Sequence, residues 1–477
     1  MSDSAAQPIA RTMSPTEKRA TLSIAGIFST RMLGLFMIFP VFALFAEETF
    51  AQATGLMIGI AMGIYGLTQA ALQIPFGMLS DRWGRKPLII IGLLVFMLGS
   101  VICAMAETIE WMIAGRAVQG MGAVAAVLMA SVADLVSEKF RLRAMSVVGI
   151  TIGLSFTLSL VAGPLLSEWV GVRGIFWVTA LLGALAILLV VYAVPKIEAA
   201  AFQRETQADP GQFKAVLKNK ELLRLDFGVF VLHAILTAMF VAVPLLIRDQ
   251  AGLGSLHHWE LYLPVMLLSF VLMVPFVIQA ESKGRMKSVF VGAVWTLMLM
   301  QLAFVFLAQG YWSLFFLLLV FFTAFNLLEA TLPSLVVKLS PADKKGTASG
   351  VYSSSQFLGA ALGGALGGLS YDGFGIEGVF GFTAIAAVMW GLVASRMPPP
   401  KPLSIASLPL PSDLTAPQGA QGAQLVEQLM QYQGVYEAVV CEDEQRIYFK
   451  IDRKQVDEVG LMDYLEKGLK GSTTRPG

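Results

Sequence analysis

"GMLSDRWGRKP", Gly77 to Pro87, is the stretch on which the fold turns. Apolar runs long enough to cross a bilayer flank it, yet Asp81 to Lys86 carries one negative and three positive charges, with glycines at 77 and 84. The chain around it is apolar: 56% of its 477 residues are hydrophobic and 14% are charged, with mean hydropathy +0.70. Soluble domains carry about 25% charge, so the composition predicts a membrane protein whose first partner is the lipid bilayer. The net charge of +1 points to no partner, and no basic helix or aromatic-interleaved patch supports nucleic-acid binding. Cys103 lies in an apolar run and Cys441 in a polar tail, which gives neither a disulfide framework nor metal-ligand spacing. The polar start, "MSDSAAQPIARTMSPTEKRA", lacks the apolar core and small-residue exit site of a cleaved signal. The first span is therefore expected to serve as its own insertion signal.

A helix needs about 20 apolar residues to cross a hydrocarbon core of roughly 30 Å. That ruler predicts twelve spans, near 20–46, 55–79, 87–106, 109–136, 142–168, 173–195, 224–248, 258–280, 286–308, 311–337, 346–370 and 376–396. With the N-terminus inside, the inner loops collect Arg82, Arg85, Lys86, Lys139, Arg141, Arg143, the Lys196–Arg224 stretch, Lys283, Arg285, Lys287, Lys338, Lys344 and Lys345. The outer loops hold chiefly Arg173 and Arg248, with Glu47, Glu48, Glu107, Glu110, Glu260 and Glu377. That asymmetry predicts two cytoplasmic termini and an inner (plasma) membrane location.

The long inner loop divides the chain into related halves. "SDRWGRKP" at 80–87 aligns with "AESKGRMK" at 280–287, placing Asp81 over Glu281, Gly84 over Gly284 and Arg85 over Arg285. "RAMSVVG" at 143 and "GTASGVY" at 346 match more weakly at a similar offset. The expected organisation is a six-helix bundle over 1–195, a cytoplasmic linker over 196–223, a second bundle over 224–396, a Pro-rich linker over 397–420 and a soluble domain over 402–477 whose first strand lies in the linker region. Parallel six-helix repeats are a transporter architecture.

At this point the chain resembles the major facilitator superfamily, an all-α polytopic fold of twelve helices. Its signature Gly-x-x-x-Asp-Arg-x-Gly-Arg-(Arg/Lys) is met by Gly77, Asp81, Arg82, Gly84, Arg85 and Lys86. The resemblance implies that this cluster latches the two halves on the cytoplasmic side in the outward-open state. Asp81 would face the start of span eleven near Gly346 and Thr347, where a helix dipole favours an anion by about 0.3–1 kcal/mol. Arg85 would pair with Asp134 at the end of span four. Gly77 would let helices approach closely and Gly84 would permit the tight turn.

Ionisable groups inside spans are costly and default to functional candidates. Arg31 stands in "STRMLGLFMIFP" and Arg116 in "AGRAVQGMG", which with Gln119, Gly120 and Gly122 resembles the family's second signature, tied to proton coupling. The other reading of Arg116 is structural pairing. Span five, "GITIGLSFTLSLVAGPLL", resembles the antiporter signature of the drug-exporting branch through Gly149, Gly153, Gly163 and Pro164, although Ser159 and Ser167 stand where glycines are usual. Glu329 in "FTAFNLLEATLP" is the carboxylate best placed to carry a proton, because loss of water at membrane depth disfavours a charged carboxylate. A fixed ion pair is its rival role. His233 could titrate as well. The "GAALGGALGG" run of span eleven reads as a close helix contact.

Beyond the Pro-rich linker, "VYEAVVC", an acidic turn and "RIYFKID" alternate as strands, with Ile447, Phe449 and Ile451 on one face, and a helix follows from about Gln455 to Lys470. With a strand near Ser404–Leu408 this makes β-α-β-β-α, a small cytoplasmic α+β, ferredoxin-like arrangement. A twelve-span facilitator with such a tail resembles the YajR-type branch of drug efflux proteins. Cys441 has no Cys-x-x-Cys partner, so no soft-metal site is expected. The function expected is a proton-driven antiporter exporting small, lipophilic or drug-like compounds by alternating access. Its partners are then a small-molecule substrate, protons and an unknown ligand of the tail, and it needs no cofactor or metal. A proton-coupled metabolite or sugar permease and a membrane sensor signalling through the tail are the alternatives. Three histidines and no nucleophile–base pair argue against an enzyme.

Overall fold

The computed structural model describes residues 12–195, 216–281, 283–340, 345–399, 404–409, 426–427, 429–441, 446–451, 456, 460–461 and 464. Among these, ten helical segments are long and apolar enough to cross a bilayer. Two of the ten, Arg143–Ala193 and Thr347–Ser395, run to 51 and 49 residues. A straight helix of that size would be about 75 Å long. Neither is straight. Gly171 and Gly375 each interrupt the helical dihedrals at φ 68°, a conformation that suits glycine because it has no Cβ. Ser159 and Thr179 reach the neighbouring carbonyls of Leu33 and Gly34, at 3.4 and 3.3 Å, although about twenty residues separate them. The chain therefore turns back at Gly171. Gly359 and Trp390 both lie against the turn holding Gly228 and Phe230, so it turns back at Gly375 too. Divided at these glycines, the ten segments resolve into twelve rods, numbered below as spans one to twelve. Span five is then 143–170, span six 172–193, span eleven 347–374 and span twelve 376–395.

Local chemistry sets several boundaries. Ser14 and Glu17 form a reciprocal capping box that starts span one, and Thr54 and Thr108 cap spans two and four. Gly84, at φ 91°, makes the turn between spans two and three, and Gly284, at φ 65°, stands at the matching place 200 residues on. Span one breaks at Met37–Ile38, just before Pro40, and span four breaks at Gly122–Val124. Broken helices at membrane depth leave backbone groups that neighbouring side chains must satisfy. Both breaks do so at the candidate site.

The ends of the bundle differ in charge. One, called the basic face here, carries Arg82, Arg85, Lys86, Arg141, Lys283 and Arg285; the acidic face carries Glu47, Glu48, Glu110, Glu260 and Asp372. On the acidic-face side, spans two and eleven touch backbone to backbone. A Cβ added at Gly55, Gly59, Gly63 or Gly66 would strike the chain at Gly368, Gly364, Ala361 or Phe357. Nearer the basic face, an added Cβ at Gly350 of span eleven meets nothing within 4 Å. The glycine run of span eleven also seats on span seven, Gly359, Gly363 and Gly367 meeting Phe230, Ala234 and Ala238. Small residues on both sides are what let helices pack this closely in lipid.

Residues Pro398–Gly477 form a separate unit. Strands β1 (Ser404–Pro409), β2 (Val435–Cys441) and β3 (Arg446–Ile451) make an antiparallel sheet in the order β1-β3-β2, with an irregularity between Val435 and Glu437. Ile447, Phe449 and Ile451 point to one side and are buried with Leu429, Ala438 and Leu461. The central linker from 196 to 215, the Pro-rich stretch 410–425, and Leu465 and Leu469 of the expected last helix lie outside the described residues.

Candidate functional site

The basic-face turn is organised by Arg85. Its guanidinium bonds Asp81, Ser80 at 2.6 Å, and Asp134 of span four at 2.8 Å. Lys86 donates to the Val194 carbonyl at 2.6 Å, and Arg19 donates to Ala193 and Tyr192, so the end of span six is tied into the same corner. In the second half Glu281 takes the place of Asp81, bonding Ser334 at 3.0 Å and Lys338 at 2.5 Å. Among the described residues Asp81 bonds Arg85 and makes no bond to span eleven in this state. One expectation needs correction. Gly77 is not a close-approach site, since an added Cβ would find only Ala126, at 3.9 Å.

The acidic face holds a clasp that was not read from the sequence. Asp372, at the end of span eleven, accepts hydrogen bonds from the amides of Gly55 and Leu56 at 2.6 and 2.8 Å. Those amides open span two, where free N–H groups and the dipole favour an anion. Tyr371 donates to Glu47 at 2.9 Å, and Arg248 stands 3.6 Å from the same carboxylate. Every one of these links joins one half to the other. The sequence signal was present in "SYDGFG", where an acid follows a span as Asp81 does. Hydrogen bonds to charged groups contribute about 1.5–3 kcal/mol each. Asp372→Asn, which keeps one acceptor oxygen and loses the charge, should raise the acidic-face-open population about tenfold, or roughly 1.4 kcal/mol. Spin-label distances between Ala51 and Gly373 would report it, with Cys103 and Cys441 replaced. An unchanged distribution would remove Asp372 from the clasp.

Deeper in the first half, Arg31 and Arg116 are each 1% exposed. Arg31 donates to Tyr65 at 2.7 Å, to Gln69 at 2.5 Å, and to the Gly122 carbonyl freed by the break in span four at 2.9 Å. Arg116 donates to Gln119 at 2.5 Å and to the Ala61 carbonyl at 3.2 Å, and Gln119 donates to Ser100 at 2.9 Å. Their partners are neutral acceptors and the rings of Tyr65 and Phe96. Both guanidinium groups are sealed inside the bundle.

The second half presents the opposite sign. Glu329 of span ten has 37% of its side chain exposed, and its Oε2 lies 3.8 Å from His233 Nε2 of span seven. His233 Nδ1 lies 3.1 Å from the Val229 carbonyl, which only an N–H can satisfy. Nε2 is then an acceptor, for the Gln356 amide of span eleven at 2.8 Å. Phe325, one turn from Glu329, meets Phe156 of span five at 6.2 Å, and Phe156 meets Phe36 at 4.9 Å. Glu329 thus lies on the seam between the halves, with phenylalanines closing it toward the acidic face. Sequence reading named Glu329 and His233 separately; Gln356, which joins His233 from a third helix, carried no signal.

In span five the expected tight packing holds only in part. An added Cβ at Gly163 would strike the Met37 carbonyl at the break in span one, whereas Gly149 and Gly153 have nothing within 4 Å. These two face open space and do not set a helix contact here.

The family model for the Major Facilitator Superfamily matches residues 24–281 and 265–431. The chain belongs to the major facilitator superfamily. The inner membrane transport protein YajR of Escherichia coli (strain K12) is 43% identical over 442 residues, 93% of this chain and 96% of that protein. Among solved structures, a bacterial homolog of the human lysosomal transporter Spinster, in an inward-facing and unoccupied conformation, superimposes with a TM-score of 0.63. It is 13% identical and covers 80% of this chain and 97% of its own. The human organic anion transporter MFSD10 gives 0.59 at 18% identity, over 80% of this chain and 100% of its own. Family membership makes the chain a membrane transporter. The solved structures bear on the fold alone.

Proposed function

We propose that this facilitator is a proton-driven antiporter of the inner membrane, with its basic face cytoplasmic, that exports small lipophilic compounds. The observation that carries the reading is the Glu329–His233–Gln356 group on the seam between the halves. A carboxyl exposed to the cleft and facing an imidazole across 3.8 Å can take up or release a proton as the cleft changes sides. The phenylalanines beside it offer apolar area to a cargo. Arg31 and Arg116, buried behind the opposite wall, belong to the same proton-coupled machinery. Asp81 with Arg82, Arg85, Lys86 and Asp134 is the counterpart latch, closing on span eleven when the acidic-face clasp opens. Gly149 and Gly153 then face the space that this movement needs, while Gly163 and Pro164 hold span five to span one. The tail, whose β1-β3-β2 order is the one a ferredoxin-like chain makes, serves as a docking unit for a cytoplasmic ligand.

A membrane potential contributes about 2.3 kcal/mol per charge per 100 mV and each pH unit about 1.4 kcal/mol, enough for severalfold to hundredfold accumulation per proton. The test is full-length protein in liposomes under an imposed pH gradient, offered a panel of lipophilic cations and neutral compounds. Antiport predicts that one class collapses the gradient. Movement of a compound with no proton counterflow would sink the coupling.

A further inference from the structure

His233 is held from two sides at once. Gly359 and Gly363 of span eleven lie so close to span seven that an added Cβ would strike the backbone at Phe230 or Ala234. That approach brings Gln356, one turn before Gly359, within 2.8 Å of His233 Nε2. On the other edge of the ring, Nδ1 lies 3.1 Å from the Val229 carbonyl. Phe325 packs against the imidazole with centroids 6.3 Å apart. A carbonyl oxygen only accepts, so Nδ1 carries the proton and Nε2 keeps its lone pair. The group facing that lone pair is then the amide N–H of Gln356. Only a neutral imidazole can make this bond, because a second proton on Nε2 would set two N–H groups against each other. A hydrogen bond made to the neutral form disfavours the charged one.

The consequence falls on Glu329. Its Oε2 stands 3.8 Å from the same Nε2 and makes no hydrogen bond, since the nitrogen it faces has no proton to give. Among the described residues no lysine or arginine pairs with it. Arg224 and Arg248 of span seven are engaged with Glu221, Glu47 and Asp249, and Lys338 of span ten with Glu281. The buried titratable side chains Asp226 of span seven and Tyr352 of span eleven bring no positive charge. An imidazolium at this distance would pair with the carboxylate and hold it ionised, whereas a neutral ring leaves it free to take a proton. We propose that Gln356 is a positioning residue of the proton site, whose amide keeps His233 as the neutral Nδ1–H ring and so denies Glu329 a permanent counter-charge. Gln356 acts through His233 alone. The inference rests on Glu329 as the proton carrier, and the experiment separates the two claims.

The chain has three histidines, so nitrogen-15 labelling of the rings gives a magnetic resonance spectrum simple enough to assign. Full-length protein in lipid nanodiscs is measured at neutral pH, with His233→Asn identifying the signals. Wild type should show His233 with a proton on Nδ1 and a lone pair on Nε2. Gln356→Leu, which removes the donor, should place a proton on Nε2 as well. Gln356→Glu, which offers an acceptor in its place, should do the same. The protonated carboxyl C=O band of Glu329 is followed alongside by infrared difference spectroscopy, assigned by its loss in Glu329→Gln. At the pH where that band is half developed in wild type, Gln356→Leu should weaken it about fivefold, as the new imidazolium draws the carboxylate into a pair. The wild-type ring spectrum needs no substitution, so the tautomer is tested even where a variant fails to fold. A wild-type His233 that carries its proton on Nε2 overturns the role of Gln356 and leaves the Glu329 band untouched. Ring and carboxyl spectra unchanged in Gln356→Leu overturn it too. A Glu329→Gln spectrum that loses no titrating band overturns the Glu329 assignment, and with it the purpose given to Gln356.

Discussion

Gly364→Leu should abolish transport by making the acidic-face-closed state unreachable. At Gly364 the backbone of span eleven lies against the Gly59 carbonyl of span two, and the reverse contact is closer still. A side chain there cannot be absorbed by a rotamer change, because the obstacle is backbone on both sides. Overpacking of even a yielding core costs about 1–3 kcal/mol, which lowers the closed population by about fivefold to more than a hundredfold. When the halves part at this face the added side chain has room, so the open state is not penalised and the protein should still fold. Labels at Ala51 and Gly373 should show the long distance only. Gly350→Leu, where open space surrounds the glycine, should leave the short distance in place. A short distance retained in Gly364→Leu would mean that spans two and eleven do not form the moving seam.

Glu329→Gln should uncouple the transporter. The substitution keeps size and hydrogen bonding but removes the only carboxyl that faces His233 from span ten, at 3.8 Å. Wild-type flux driven by a gradient of two pH units has about 2.7 kcal/mol per proton available. Without an exchangeable proton at the seam that drive disappears, and gradient-dependent flux should fall by about a hundredfold. Cargo binding, which rests on the aromatic wall, should survive, and exchange of labelled for unlabelled cargo should become insensitive to pH. Persisting gradient-driven flux would move the proton site away from Glu329. Loss of binding together with flux would make Glu329 a cargo contact instead.

The two variants probe different layers of legibility. Gly364 was visible as part of a glycine-rich run, and the run correctly signalled close contact, because only residues without bulk let helices meet in lipid. Its partner was not visible, since a glycine run does not encode which helix will face it. Glu329 stood out because a carboxylate within an apolar span is rare. Asp226, two residues into the expected span seven, was not singled out. Asp372 was hidden because an acid at a span's end is ordinary in sequence, and its role depends on a helix N-terminus more than 300 residues away.

The sequence by itself determined the membrane setting, the facilitator family, and a charged turn in which the resemblance pairs Arg85 with Asp134, because apolar run lengths, loop charges and short motifs are local properties of the chain. The tertiary structure alone decided which face is joined, that Asp372 and not Asp81 bridges the halves in this state, and that Glu329, His233 and Gln356 meet. Those facts depend on which helices face one another. A chain of similar apolar rods leaves that open until packing, small residue against small residue, selects the partners.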